Sequence, residues 1–226
     1  MKRPVVIVDY DPRWPLWYEE ERARLLPAIG HKIVALEHIG STAVPGLGAK
    51  PIIDMLAGVR ERADADECLP LLAPLGYTDV TPQDDPQWYY CLGRHEEADQ
   101  FHLHLVQYPS IHWERHLLFR DFIRTRPDLV QQYDQLKREL AACYGSDRTG
   151  YTEAKTEFIE SVVAQARAAS AAAAERGEDV IASKKERGNE HVERVQGFRH
   201  AGERARFGGS GHHRRGVRQD HHLAGE

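Results

Sequence analysis

Cysteine is scarce in this 226-residue chain: Cys68, Cys91 and Cys143 are odd in number, far apart and without Cys-x-x-Cys spacing. That excludes a disulfide framework and a cysteine-rich zinc module, and leaves reduced, mostly buried small hydrophobes. No stretch approaches the roughly 20 apolar residues that a membrane span needs. The opening Met1-Lys2-Arg3-Pro4-Val5 lacks the apolar run of a signal peptide, so a cytoplasmic protein with no membrane partner is expected. Positive charge is lacking as well. Lys and Arg number 30 against 35 Asp and Glu; residues 1–166 carry −8 and residues 167–226 carry +3. An acidic body excludes a duplex nucleic-acid surface, because phosphate neutralisation needs a basic face. Any phosphate binding must be local.

What is present reads as strands first and helices last. Val5 to Val8 is expected as a short strand, a helix as running from about Pro15 to Ala28, and strands as covering Ile33 to Ile39 and Pro51 to Ala57. A helix over Asp64 to Pro74 is expected to break at Pro70 or to start late, with Gly76 stopping it before a strand at Tyr77 to Thr81. Within the polar and aromatic stretch 82–98, Trp88 to Leu92 reads as a strand. Gln100 to Gln107 is a cleaner one, placing Phe101, Leu103 and Leu105 on one face. Three helices follow, over about 112–125, 128–143 and 151–169, stopped in turn by Pro127 and Gly145. The fold class is α+β: a small mixed β-sheet flanked by helices, with a helical C-terminal block. Residues 1–169 form one domain. Residues 170–226 are low in complexity, lack apolar periodicity and are expected to be a disordered tail.

The chemistry concentrates in the run His38-Ile-Gly-Ser-Thr-Ala-Val-Pro-Gly-Leu-Gly-Ala-Lys-Pro-Ile-Ile-Asp54. Glycines let a backbone approach a ligand, and Ser41 adds a hydroxyl. Asp54 interrupts an apolar strand, where a carboxylate needs a partner: a cation, an Arg or Lys, or backbone amides. His102 and His104 stand two apart on one strand and therefore face one way, as a ligand pair would. His116, Arg120 and Arg124 follow at helical spacing, apart from the apolar stripe of Leu118, Phe119, Phe122 and Ile123; guanidinium forks in line suit phosphate. Lys50 ends the glycine loop, Lys137 follows Tyr133 by one turn, and Lys155 shares a face with Ile159 and Val162, burying its stem.

At these residues the chain resembles the GrpB family. The resemblance rests on Glu37 to Leu47 and Ala49 to Asp54, then His102-Leu-His-Leu105, Phe119-Arg-Asp-Phe-Ile-Arg124 with Pro127, Tyr133 with Leu136-Lys137, and Tyr151 with Lys155 and Phe158-Ile159, over roughly residues 4–168. It implies the nucleotidyltransferase superfamily, in which a Gly-Ser or Gly-Gly pair holds a triphosphate and an Asp-x-Asp pair with a third acid binds two metals. Gly40, Ser41 and Asp54 match; the second acid's place holds Leu56. A GrpB-like domain also occurs fused behind dephospho-CoA kinase, which implies a functional link to that enzyme.

The resulting expectation is a transferase that moves a nucleotidyl or phosphoryl group from a nucleoside triphosphate to an unidentified small acceptor. Asp54 with His104 or His102 binds a divalent metal ion, Mg²⁺ or Mn²⁺ and, with imidazole ligands, Zn²⁺. Gly40 and Ser41 cradle phosphates; Lys50, Arg120, Lys137 and Lys155 neutralise charge. Glu37 stands as an extra acid if it, rather than His38, faces the site. Two rival readings are a non-catalytic nucleotide- or CoA-binding module and a single-metal hydrolase ligated by Asp54, His102 and His104.

Overall fold

The computed structural model describes residues 4–81, 88–95 and 100–176. Its elements run α1 (Trp14–Ile29), β1 (Ile33–Ile39), β2 (Ile53–Val59), α2 (Arg62–Leu72), β3 (Thr78–Asp79), β4 (Tyr90–His95), β5 (Gln100–Gln107), α3 (Ile111–Ile123), α4 (Pro127–Tyr144), α5 (Arg148–Glu153) and α6 (Thr156–Glu175). The five strands make one mixed sheet in the order β1-β2-β5-β4-β3. Only the central pair, β2 and β5, is parallel; the others are antiparallel.

Period-two alternation sorts the central strands into two faces. Ile53, Met55, Ala57 and Val59 of β2, with Phe101, Leu103 and Leu105 of β5, enter the main core with Trp14, Leu25 and Ile29 of α1 and Ala65, Cys68 and Leu72 of α2. On the opposite face Leu56 and Val106 meet Ile39 of β1 and Trp113 of α3 in a smaller cluster. A third cluster joins α3, α4 and α6 to the glycine loop, through Ile123, Leu129, Tyr133 and Val162 around Val44 and Leu47. The loop is thereby packed against the C-terminal helices, which is why its Val44 and Leu47, unlike the residues of an ordinary turn, are fully buried.

The expected α+β class and the mixed sheet under helices hold, and β1 and β5 span the residues the sequence indicates. Several elements differ. Val5 to Val8 joins no strand: Val8 forms an isolated bridge with Ala49, and Val5 N–H donates to Gly145 O. Val6 and Val8 stay exposed, so the β-branched run has strand propensity without a sheet edge to use it on. Strand β2 begins at Ile53, two residues later than expected, and leaves Pro51 outside the ladder. Pro70 does not break α2, which starts at Arg62 and ends at Leu72; so near the end, the missing N–H costs one hydrogen bond and little more. Gly76 stops the segment as expected, at φ +86°. Only Thr78–Asp79 pair in β3, and β4 starts two residues and ends three residues later than the sequence indicates. The last expected helix is two, α5 and α6, with Lys155 between them. The second of these reaches Glu175; the tail read from the sequence lies, from residue 177, outside the described residues, as do 82–87 and 96–99. Among the described residues no helix is long and apolar enough to cross a membrane.

Candidate functional site

Parallel pairing sets Asp54 beside His102 and Leu56 beside His104, and antiparallel pairing sets Ile39 beside Asp54. Asp54, His102 and His104 therefore share the face turned away from α1 and α2. Asp54 Oδ1 lies 3.4 Å from His102 Nδ1 and 3.5 Å from His104 Nε2. The three ligand atoms fall within 4.8 Å of one another, the only cluster of metal-ligand type among the described residues. Burial pushes the Asp54 carboxyl up, but hydrogen bonding and charge from the two imidazoles more than offset it and hold the group well below the usual carboxylate range.

This trio fits one divalent cation. Ligand atoms about 2.1 Å from an ion at tetrahedral angles stand about 3.4 Å apart, close to the two distances seen. Two imidazoles and one carboxylate favour Zn²⁺ or Mn²⁺ over Mg²⁺, which prefers oxygen. Among the described residues a second metal has no ligands. Leu56 is fully buried beside Ile39, Val106 and Trp113, and no further acid joins the cluster among the described residues. Glu37 does face this side, since it pairs with Leu56, but Arg120 Nη1 donates to it at 2.7 Å. His38 faces the other way: its ring stacks on Tyr18 at 4.8 Å and its Nε2 meets Thr42 Oγ1 at 3.0 Å. Burial pushes His38 down to about 3, so it stays neutral.

Gly40 explains the first residue of the loop motif. It sits at φ +72°, and an added Cβ would come within 2.6 Å of Asp54 Oδ2. Only glycine lets the loop cross the carboxylate this closely. Thr42 donates to Ile52 O at 3.2 Å, tying the loop back to the start of β2.

Gly40, Ser41 and the metal-ligand trio line a cavity of about 240 Å³; Lys50, Lys137 and Lys155 line it too, with Tyr133 and Tyr151 beside them. Lys155 Nζ lies 4.4 Å and Lys50 Nζ 5.6 Å from the centre of the Tyr151 ring, and Lys137 Nζ 4.9 Å from that of Tyr133. Lys137 is almost wholly buried and donates to Gly48 O. Burial, with the neighbouring lysines, pushes Lys137 down to about 7 and Lys155 down to about 8; Lys50 is also lowered, chiefly by burial.

Of the residues singled out from the sequence, the cavity gathers Gly40, Ser41, Lys50, Asp54, His102, His104, Lys137 and Lys155. Arg120 lies elsewhere. Its guanidinium is held by Glu37, by Asp121 at 2.8 Å and by His38 O at 2.9 Å. Arg124 likewise grips Ala43 O through Nε and Nη2 at 2.9 and 2.6 Å. Arg120 braces β1 and Arg124 braces the loop rather than reach into the cavity, while His116, one turn before Arg120, lines it. Sequence reasoning missed Trp88 and Arg115. Trp88 lies tilted against His104 and His116, with ring centres 4.4 and 5.0 Å away, and Arg115 lines the cavity while paired with Glu160. Neither has a periodic signal: Trp88 precedes its strand, and Arg115 differs from neighbouring surface charges only in three dimensions.

Residues 4–165 match the family described as GrpB protein. The chain belongs to the GrpB family. It is 35% identical over 164 residues to the UPF0157 protein YqkA of Bacillus subtilis, covering 71% of this chain and 46% of that one. The chain thus spans about half the length of that curated relative. It is also similar, at 28% identity over 193 residues, to a dephospho-CoA kinase of Mycolicibacterium paratuberculosis, of which it covers 46%. Among solved structures, the GrpB protein of Enterococcus faecalis superposes with a TM-score of 0.63 at 30% identity, covering 71% of this chain and 96% of that one. The family match ends at residue 165, within α6.

Proposed function

We propose that this GrpB-family chain is nucleotidyltransferase-like: it binds a nucleoside triphosphate by its phosphates and passes a nucleotidyl or phosphoryl group to an unidentified small acceptor, acting in the cytoplasm through residues 1–169. One observation carries the reading: a single cavity joins a carboxylate and two imidazoles to a glycine loop and three lysines. With all three lysines charged, three ammonium groups, one carboxylate and one divalent cation leave an excess of about four positive charges, which balances the roughly four negative charges of a nucleoside triphosphate. A cation held by Asp54, His102 and His104 would supply Lewis-acid neutralisation of phosphate oxygens. Gly40 keeps the loop backbone against the carboxylate, Ser41 offers its hydroxyl, and Lys50 and Lys155 face the charge that develops on the transferred group. Tyr133, Tyr151 and Trp88 limit water in the cavity.

A second reading, a single-metal hydrolase, is favoured by the lone carboxylate with two imidazoles and by the apolar setting of Leu56. Similarity to a dephospho-CoA kinase supports a third, a non-catalytic module binding nucleotide or CoA, and with it a link to that kinase. Calorimetric titration with ATP, CTP, GTP and CoA, each with Mg²⁺, with Mn²⁺ and with neither, tests them together. Nucleotide binding strengthened by Mn²⁺ is expected; no binding by any ligand refutes the transferase and the module alike.

A further inference from the structure

Lys50, Lys137 and Lys155 reach the cavity from three different places: the end of the glycine loop, the middle of α4 and the break between α5 and α6. Lys50 and Lys155 lie over the same Tyr151 ring, so their ammonium groups are no more than 10.0 Å apart, from 5.6 and 4.4 Å. Among the described residues none of the three forms an ion pair with a carboxylate. The nearest acids act at longer range: Asp54 on Lys50 and Lys155, and Asp134 on Lys137. Arg148 and Arg138 add further positive charge from α5 and α4. Tyr133 and Tyr151, both pushed up by burial, stay neutral. Three converging amines without a counter-ion are costly to keep charged.

We propose that these three lysines form an anion subsite of their own, separate from the metal-ligand trio, which takes one tetrahedral dianionic group, phosphate or sulfate, without a metal and takes up protons as it binds. The subsite deepens the phosphate-binding reading above. Its logic is linkage: in the empty cavity Lys137 and Lys155 hold their protons weakly near neutrality. An anion between them restores the charged form, so binding and protonation reinforce one another.

The test is calorimetric titration of the whole chain with inorganic sulfate in metal-free buffer at pH 7.5, in two buffers of different ionisation heat. Sulfate has no titratable proton there, so every proton counted comes from the protein. Uptake of roughly one proton per sulfate is expected. Lys137→Met and, separately, Lys155→Met should weaken binding by about tenfold or more and reduce the uptake, while thermal unfolding confirms that each variant folds. Asp54→Asn should bind sulfate at least as well as the wild type, since it removes a negative charge. No sulfate binding, binding without proton uptake, binding that requires a divalent cation, or binding lost in Asp54→Asn would each overturn the subsite. Sulfate binding with uptake in a protein that ignores all nucleotides would sink the nucleotide reading and leave the subsite standing.

Discussion

Strands β2 and β5 lie side by side with one twist and one hydrogen-bond ladder, yet their two faces have opposite fates. Toward α1 and α2, Ile53, Met55, Ala57, Phe101, Leu103 and Leu105 merge into a closed core. Toward α3 and the C-terminal helices, the row Asp54–His102 is polar, and the next row, Leu56–His104, is half apolar. Gly58–Val106 then closes against Tyr108 and Trp113. The difference teaches where chemistry can sit in a small sheet: at the end of one face, where the covering helices leave a cavity, with apolar rows behind it. The polar face is not simply the solvated side of an antiparallel sheet, because the C-terminal block covers it.

The sharpest way to break this contrast is to carry the polar row one step inward. Leu56→Asp places in an apolar cluster the second acid of the Asp-x-Asp pattern that the sequence resemblance implies, and an uncompensated buried carboxylate should cost about 3 kcal/mol or more in denaturant unfolding. Leu56→Asn separates polarity from charge. If Leu56→Asp instead keeps its stability and gains Mg²⁺ affinity, the apolar row is a lost second-metal site rather than a wall.

Gly40→Ala comes next. It combines a positive φ with a collision against Asp54, so a loss of about 2–3 kcal/mol and of metal affinity is expected. Gly46→Ala is the matched comparison: its φ is +79°, but a Cβ there meets nothing within 4 Å. It should cost only about 1 kcal/mol and spare the site. Equal losses in thermal unfolding would refute the role given to the Gly40–Asp54 contact.

The third effect is a slope. Burial lowers Lys137 to about 7, below its unfolded value of 10.5, so the unfolded chain binds more protons between those limits. Stability from this group therefore rises with pH from about 7 to 10.5, by at most about 1.4 kcal/mol per pH unit. Lys137→Met should flatten that part of the pH–stability curve of the ligand-free protein. His38 acts at the other end. Lowered to about 3, it destabilises the fold as pH falls below 6.5, and His38→Gln should lessen acid lability.

Much of this was legible in the sequence, and for physical reasons. Alternation placed β5 and aligned His102 with His104 because a strand has no freedom to do otherwise. An aspartate in an apolar strand announced a partner, and the glycines announced close approach. Long-range pairing was not legible. Nothing in the spacing of His116, Arg120 and Arg124 says that the first lines the cavity while the others hold the carbonyls of His38 and Ala43 and the side chain of Glu37, since periodicity gives a face and not what meets it. The break at Lys155 was hidden for a similar reason: residues 151–169 read as one helix, and neither Ala154 nor Lys155 is a helix-breaking residue. The Val5–Val8 arm failed in the reverse sense, having propensity and no edge.

The smallest predicted effect tests whether the arginines behind the loop matter to the face in front of it. Arg124 is about one-third exposed; two of its hydrogen bonds fall on a single carbonyl, Ala43 O, and a third reaches Asp121 Oδ1 at 3.4 Å, so solvent takes back part of what truncation removes. Arg124→Ala should cost about 1 kcal/mol in unfolding. Ala43 closes the turn that starts at Ser41, so freeing its carbonyl loosens the loop without touching Asp54, His102 or His104. Metal affinity should therefore stay within about twofold of the wild type, while phosphate affinity falls several-fold more than metal affinity does, because only phosphate binding depends on where the loop backbone sits. Parallel losses of both in calorimetry would mean that the trio and the loop are one rigid unit, and that the two faces of the sheet differ in composition but not in how tightly they are held.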